Sequence, residues 1–168
     1  VTNIGPGSRT GICRATVLRP GKAVWSPQTR VGAKEWSYAP TTDTLKLGTC
    51  LARASDTGLT VDAPLDNGRV TLEYARKPEP WSPDGSVVEE GKDRYRHEVL
   101  VAGSPVKVTL QVPKTEAVTL SGGGYVDHSR STVAPAKLAK RWVRFRAIKG
   151  PPYALVLGRE GHGGDYAP

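Results

Sequence analysis

Methionine is absent from the 168 residues, phenylalanine occurs once and cysteine occurs twice. A core with so few of these side chains must be built from valine, leucine, alanine and the four tryptophans. Valine and tryptophan are favoured in strands, so the composition suits a β protein. No apolar run approaches the length of about 18 residues that a membrane-spanning helix needs, and we expect no membrane span.

The two cysteines, Cys13 and Cys50, are too few and too far apart for a zinc knuckle or a redox pair. They can pair as one disulfide or remain two buried thiols. We expect two buried thiols, because the sequence shows neither a signal peptide nor the dense cysteine spacing of small secreted domains. Localisation is left open, with a cytoplasmic location favoured over a secreted one.

Glycine and proline are abundant, with 19 and 14 copies spread between short apolar runs. This distribution predicts frequent turns and an all-β protein. The clearest turn signal is Asp-Asn-Gly at 66–68, which precedes an alternation of Val70, Leu72 and Tyr74. The predicted fold class is therefore all-β, an antiparallel barrel or sandwich with little helix. Strands are predicted at 12–18, 23–26, 45–52, 59–63, 69–75, 95–101, 106–112, 117–120, 141–148 and 153–157.

The domain organisation follows from the same pattern. We expect an irregular arm at 1–11, a single β domain at 12–157 and a flexible tail at 158–168. His162 and Asp165 in that tail are too few ligands on too mobile a segment for a metal site, so no metal is predicted.

Three connections are also predicted. Residues 27–43 are expected to form a loop, and the Ala-Gly-Ser-Pro sequence at 102–105 is expected to turn one strand back on the next. The proline-rich stretch at 77–91, which contains Trp81, is long enough to form a flap over a barrel mouth.

The formal net charge of +8 raises the question of an anionic partner. The densest basic zone falls between residues 137 and 149. No recognition-module pattern accompanies it, so a solvated basic face is favoured over a nucleic-acid site.

Three consecutive glycines are followed by four side chains that can exchange protons or bind charged groups, namely Tyr125, Asp127, His128 and Arg130. Glycines permit a bulge or sharp bend in a strand and the close approach of a ligand. An ordinary hairpin loop, in which Asp and Ser bond their own backbone, gives the same pattern. If the protein performs chemistry, we expect it at this stretch, which is followed by a strand that places Trp142, Arg144 and Arg146 on one face.

The Gly-x-Gly-Tyr-x-Asp-His motif at 122–128, followed by the strand with Trp142 and Arg144, resembles the lipocalin-like family. This family includes bacterial carotenoid 1,2-hydratases, fungal survival-factor proteins and lipocalin-like Diels–Alderases. The resemblance covers about residues 86–150 and departs from the family where Ser-Arg-Ser at 129–131 stands in place of Asn-Trp-Gly. Family members have two barrels, so the chain resembles the first half, and a second barrel domain or a second copy is an expected partner.

The resemblance implies a barrel that encloses a hydrophobic, isoprenoid-like or polyketide-like molecule and hydrates or cyclises it without a cofactor. Asp127 would be the proton donor, because an aspartate desolvated in an apolar pocket can stay protonated. His128 would be its partner or position a water, and Tyr125 would orient the site. The ligand-binding residues would be Arg130, Trp142, Arg144 and Trp81.

Two alternatives stay open. In a non-catalytic carrier or structural module, Asp127 and His128 would form a buried polar network paired with an arginine. A single-stranded nucleic-acid binder that uses Trp142 and the basic strand ranks behind both.

Overall fold

The computed structural model describes residues 2–4, 10–82, 85–148 and 153–167. It confirms the all-β fold class, with antiparallel sheets. Two short 3-10 helices, Pro40–Thr42 and Pro135–Lys137, accompany the strands. None of the described helices is long and apolar enough to cross a membrane.

The strands are, in chain order, β1 (Thr2–Ile4), β2 (Gly11–Arg14), β3 (Val17–Arg19), β4 (Lys22–Trp25), β5 (Gln28–Val31), β6 (Trp36–Ala39), β7 (Thr44–Leu47), β8 (Cys50–Ser55), β9 (Gly58–Leu65), β10 (Gly68–Tyr74), β11 (Val87–Glu90), β12 (Asp93–Gln111), β13 (Val118–Ser131), β14 (Arg141–Ala147), β15 (Ala154–Glu160) and β16 (Tyr166–Ala167).

The chain forms two compact units, which differs from the single domain expected from the sequence. Unit 1 comprises Val1–Lys77 and Pro105–Gly122, and unit 2 comprises Pro78–Ser104 and Gly123–Pro168. The long strands β12 and β13 each contribute residues to both units. Local alternation predicts a strand but not how its two halves are partnered, which explains the difference.

Unit 1 is built on a meander in which β6, β7, β8, β9 and β10 follow one another, and the C-terminal half of β12 pairs with β10. The Asp-Asn-Gly turn joins β9 to β10 as predicted, with positive φ angles of 44° at Asp66 and 58° at Asn67. Among the described residues β6 pairs with β7 alone, so this ladder does not close into a barrel.

The N-terminal strands of unit 1 pack on the meander through a disulfide. Cys13 in β2 and Cys50 in β8 are bonded, with an S–S distance of 2.08 Å. The expectation of two free thiols was therefore wrong, because pairing depends on which strands meet in space and not on cysteine density. We call the buried cluster around this bond the disulfide core, and it comprises Cys13, Trp25, Val31, Leu47, Cys50, Ala63 and Leu65.

Three local predictions in unit 1 were wrong. The strand predicted at 12–18 is divided into β2 and β3, which belong to different sheets. Residues 27–43, predicted to be a loop, contain β5 and β6. Residues 45–52, predicted to be one strand, form the hairpin β7–β8, in which Leu47 lies opposite Cys50. Gly48 has a positive φ of 56°, which lets the chain reverse there.

In unit 2 the N-terminal half of β12 pairs with β11, and Trp81 forms an isolated antiparallel bridge with Val99. The strands β14, β15 and β16 form a second sheet in that order. The core of this unit contains Val88, Tyr95 and Leu138. The stretch predicted as a flap thus contains β11 and a bridging residue.

The turn predicted at 102–105 is absent, because these residues lie inside β12. Gly103 has a φ of 68°, and a Cβ at this position would collide with the ring of Tyr153. The glycine therefore gives room for an aromatic side chain instead of reversing the chain.

The two ends of the chain also differ from prediction. Residues 2–4 of the expected arm form β1, which pairs with β2, while residues 1 and 5–9 lie outside the described residues. The expected tail begins inside β15, and β16 pairs with that strand. Pairing with a neighbouring strand, which local sequence does not reveal, accounts for both differences.

Removing the disulfide should destabilise the protein. The bond closes a loop with a sequence separation of 37 residues, and constraint of the unfolded chain predicts that Cys13→Ala with Cys50→Ala lowers the free energy of unfolding by about 2–4 kcal/mol. Urea denaturation of the oxidised proteins measures this. Complete reduction should lower the free energy of unfolding of the wild type to nearly that of the variant and leave the variant unchanged. A wild type whose stability does not respond to reduction would contradict the disulfide assignment.

Candidate functional site

Three strands of unit 2 bring six polar and aromatic side chains together. Each strand supplies two residues at positions i and i+2, which point to the same face of an extended strand. We call this group the Asp127 cluster, and it comprises Tyr95 and His97 of β12, Tyr125 and Asp127 of β13, and Arg144 and Arg146 of β14.

The carboxylate of Asp127 is held by two guanidinium groups. Nη2 of Arg146 lies 2.6 Å from Oδ2 of Asp127, and Nη1 of Arg144 lies 3.5 Å from the same oxygen. Arg144 also donates a hydrogen bond of 3.2 Å from Nη2 to the hydroxyl of Tyr95. Two cations therefore share one anion, and the surroundings of Asp127 are ionic instead of apolar.

Arg146 also contacts the aromatic ring of Tyr125, with 4.7 Å between the guanidinium carbon and the ring centroid. Such cation–π contacts are favourable when partly desolvated. Burial opposes the charged form of Arg146, but its interactions with Asp127 and Tyr125 outweigh burial and raise its pKa. Burial raises the pKa of Tyr125, so the phenol stays protonated at neutral pH.

His97 is the fully buried member of the cluster, with 0% of its surface exposed. Its Nε2 lies 3.5 Å from the Tyr125 hydroxyl and 3.9 Å from Oδ2 of Asp127. Burial lowers the pKa of His97, opposed by Asp127 and reinforced by Arg144 and Arg146. The imidazole is therefore neutral at pH 7, and its Nδ1 has no hydrogen-bond partner within the described part of the chain.

The structure brings together three of the residues selected from the sequence, Tyr125, Asp127 and Arg144. His128 lies apart from this contact network: its side chain is 46% exposed, and its Nδ1 lies 3.8 Å from a carboxylate oxygen of Glu98. His97 instead of His128 is the imidazole closest to Asp127, because adjacent residues of a strand point to opposite faces.

The other three selected residues occupy different surroundings. Trp142 packs against Tyr95, with ring centroids 4.8 Å apart. Arg130 is exposed on β13, and Trp81 is more than half exposed beside β12. None of these observations places Trp142, Arg130 or Trp81 against the carboxylate of Asp127.

Sequence reasoning did not select Tyr95, His97 or Arg146 as site residues. A signal for the first two was present, because Tyr95, His97, Val99 and Val101 alternate and all four are buried. A histidine on such an apolar face needs polar partners. Which residues supply them depends on β13 and β14, whose side chains reach His97 only in the folded protein.

The three glycines at 122–124 lie within β13, and none of them has a positive φ. The backbone is therefore not reversed there. A Cβ at Gly123 would lie 3.0 Å from the carbonyl oxygen of Ile148, so a larger residue would press on that backbone. Close approach of a neighbouring segment, one of the two expected uses of glycine, applies at this position.

Metal binding has no support in the side chains that the structure places. No group of three or more His, Cys, Asp or Glu residues able to hold a metal ion occurs among the described residues.

Comparison of the chain with protein-family models, curated proteins and solved structures found no match.

The buried imidazole predicts a pH-dependent stability. An unfolded histidine binds a proton near pH 6.5, whereas His97 resists protonation, facing Asp127 as well as the cations of Arg144 and Arg146 and the nearby His128. Stability present above pH 6.5 should therefore be lost as the pH falls, with a slope approaching about 1.4 kcal/mol per pH unit. Urea denaturation between pH 7.5 and 5.5 measures this slope.

The matched variants are His97→Gln and His128→Gln. The first should flatten the pH slope of the free energy of unfolding, whatever its effect on absolute stability. The second leaves His97 in place and should keep the slope. An unchanged slope in His97→Gln would show that another group is responsible.

Proposed function

We propose that the chain is a non-catalytic module that binds a hydrophobic small molecule. The observation that carries this proposal is a row of apolar side chains across the inner face of unit 1. Ala52 lies opposite Val61, Val61 opposite Leu72, and Leu72 opposite Val108. All four are half-buried, so they present apolar surface that is still accessible. We call them the apolar row.

The chemistry of the apolar row suits an extended hydrocarbon. Four neighbouring strands spaced about 4.8 Å apart give a strip roughly 14 Å long, which is the length scale of an isoprenoid or acyl chain. Burial of apolar surface provides affinity without directional contacts, so the row favours a class of ligand over a particular one.

The Asp127 cluster supports binding over catalysis. The hydratase hypothesis needs a protonated carboxyl group in an apolar pocket, whereas Asp127 is ion-paired with Arg146 and Arg144. A carboxylate paired with arginine is the arrangement expected of a structural polar network. We therefore assign the cluster to holding β12, β13 and β14 together within unit 2.

Cofactor-independent hydration or cyclisation is the second candidate. The meeting of Tyr125, His97 and Asp127 favours it, since a neutral imidazole beside a phenol can accept and return a proton. In a hydration, a side chain of the cluster would donate a proton to one alkene carbon, and the oxygen of a water molecule would bond to the other carbon. The proton that the water loses would then return to the side chain that donated the first one.

Ligand binding is tested by titrating the protein with retinol, an isoprenoid probe, and measuring the fluorescence of retinol. The near-isosteric changes Val61→Thr and Val108→Thr should each weaken binding by about 1 kcal/mol, or about fivefold, because a hydroxyl replaces an apolar methyl. Val143→Thr, on an exposed position of β14, is the matched control and should leave affinity unchanged. Equal affinity in all three variants would remove the apolar row from the proposal.

Asp127→Asn separates the two candidates. Loss of the carboxylate leaves two partly buried guanidiniums without their anion, and we expect the free energy of unfolding to fall by about 1–2 kcal/mol. Retinol affinity measured well below the denaturation midpoint should stay within about twofold of the wild type. If the wild type consumes a polyene substrate and Asp127→Asn abolishes turnover while it remains folded, catalysis replaces binding as the function.

A further inference from the structure

The hairpin β3–β4 of unit 1 projects from the disulfide core. Its base is anchored: Trp25 is part of that core, Val17 packs against it, and the backbone N–H of Ala15 donates to the carbonyl of Pro27 at 3.1 Å. Beyond this base every residue from 18 to 24 is exposed. The hairpin is therefore a surface projection held by a fixed support.

The tip of the hairpin carries an apolar side chain that the fold leaves in solvent. Leu18 is 70% exposed and lies opposite Ala23, which is also exposed. The turn between the strands has Pro20 and Gly21 at its centre, and Gly21 has a φ of 73°. Proline followed by a glycine with positive φ is the pattern of a type II turn, which fixes the shape of the tip.

The sequence around this tip is basic. From Thr10 to Lys34 the sequence contains no aspartate or glutamate, and its basic residues are Arg14, Arg19, Lys22, Arg30 and Lys34. Arg19 and Lys22 face each other directly beside the turn. Neither has a carboxylate within ion-pair distance among the side chains that the structure describes.

We propose that the β3–β4 hairpin docks on an anionic lipid surface, with Leu18 entering the interface and Arg19 and Lys22 contacting the headgroups. Inserted apolar area and electrostatic attraction to anionic lipids both strengthen interfacial binding, and the hairpin offers an exposed aliphatic residue for the first and two cations for the second. Single-stranded nucleic acid fits less well, because it stacks on exposed aromatic rings, and Trp25, the aromatic residue of the hairpin, is buried. This inference does not depend on the apolar row.

The test is co-sedimentation of the full chain with vesicles of phosphatidylcholine alone and with vesicles of equal parts phosphatidylcholine and phosphatidylserine. The wild type should bind the second and not the first, and binding should fall as salt shortens the range of charge attraction. Leu18→Ser should weaken binding about tenfold. Arg19→Gln with Lys22→Gln should weaken it about fivefold per charge removed.

The matched control lies on the solvent face of the meander in the same unit. Leu51 is 40% exposed there, beside the exposed cations Lys46 and Arg53. Leu51→Ser and the pair Lys46→Gln with Arg53→Gln repeat the chemical changes away from the hairpin, and both should bind anionic vesicles as the wild type does.

Three outcomes would overturn the proposal. The first is that the wild type fails to bind phosphatidylserine vesicles. The second is that the control variants lose as much binding as the hairpin variants, which would show that binding depends on net charge and not on the hairpin. Tighter binding to a single-stranded oligonucleotide than to anionic vesicles at the same salt would assign the basic hairpin to nucleic acid.

Discussion

Backbone pairing along β12 is the interaction on which the architecture of both units depends. The first half of this strand pairs with β11 in unit 2 and the second half with β10 in unit 1. Because side chains alternate along a strand, the same pairing buries Tyr95, His97 and Val99 in one unit and Val106 in the other. Each unit then completes its own core around the half of β12 that it contains.

Burying His97 on this strand creates a need for polar partners, which the Asp127 cluster supplies at Nε2 and leaves unmet at Nδ1 among the described residues. A buried imidazole needs polar contacts, and a protonated one beside Arg144 and Arg146 would be a third cation in a confined space. The lowered pKa of His97, which burial causes first and the two arginines reinforce, keeps it neutral. The carboxylate of Asp127 then balances only the charges of the two guanidinium groups. The network is therefore a compact cluster of ion pairs that joins three strands.

The two proposals use different surfaces of unit 1. The apolar row lies on the inner face of the meander, and the basic hairpin projects from the disulfide core. A protein that takes up a hydrophobic molecule benefits from contact with the membrane in which such molecules dissolve, and the two surfaces together are compatible with that task. The disulfide is typical of oxidising compartments, which weakens the preference for a cytoplasmic location.

Much of the strand content could be predicted because its signals are local. The alternation in β10 and β14 and the Asp-Asn-Gly turn depend on residues close in sequence, and each prediction was confirmed. The prediction of a turn at 102–105 was wrong because the deciding contact is distant in sequence. Ala-Gly-Ser-Pro is typical of turns, but the space beside Gly103 is filled by the ring of Tyr153, fifty positions away. For the site, Tyr125 and Asp127 of the motif lie in the Asp127 cluster, whereas the imidazole that approaches them, His97, comes from a different strand.

The sequence alone determined that the chain is all-β, where most strands run and that Trp142, Arg144 and Arg146 share one face of β14, because side-chain alternation and turn propensity act over a few residues. Only the tertiary structure decided that Cys13 bonds to Cys50, that His97 and not His128 approaches Asp127, and that β12 serves two units. These contacts join residues far apart in the chain, and they are selected by strand pairing and burial, which no local pattern specifies.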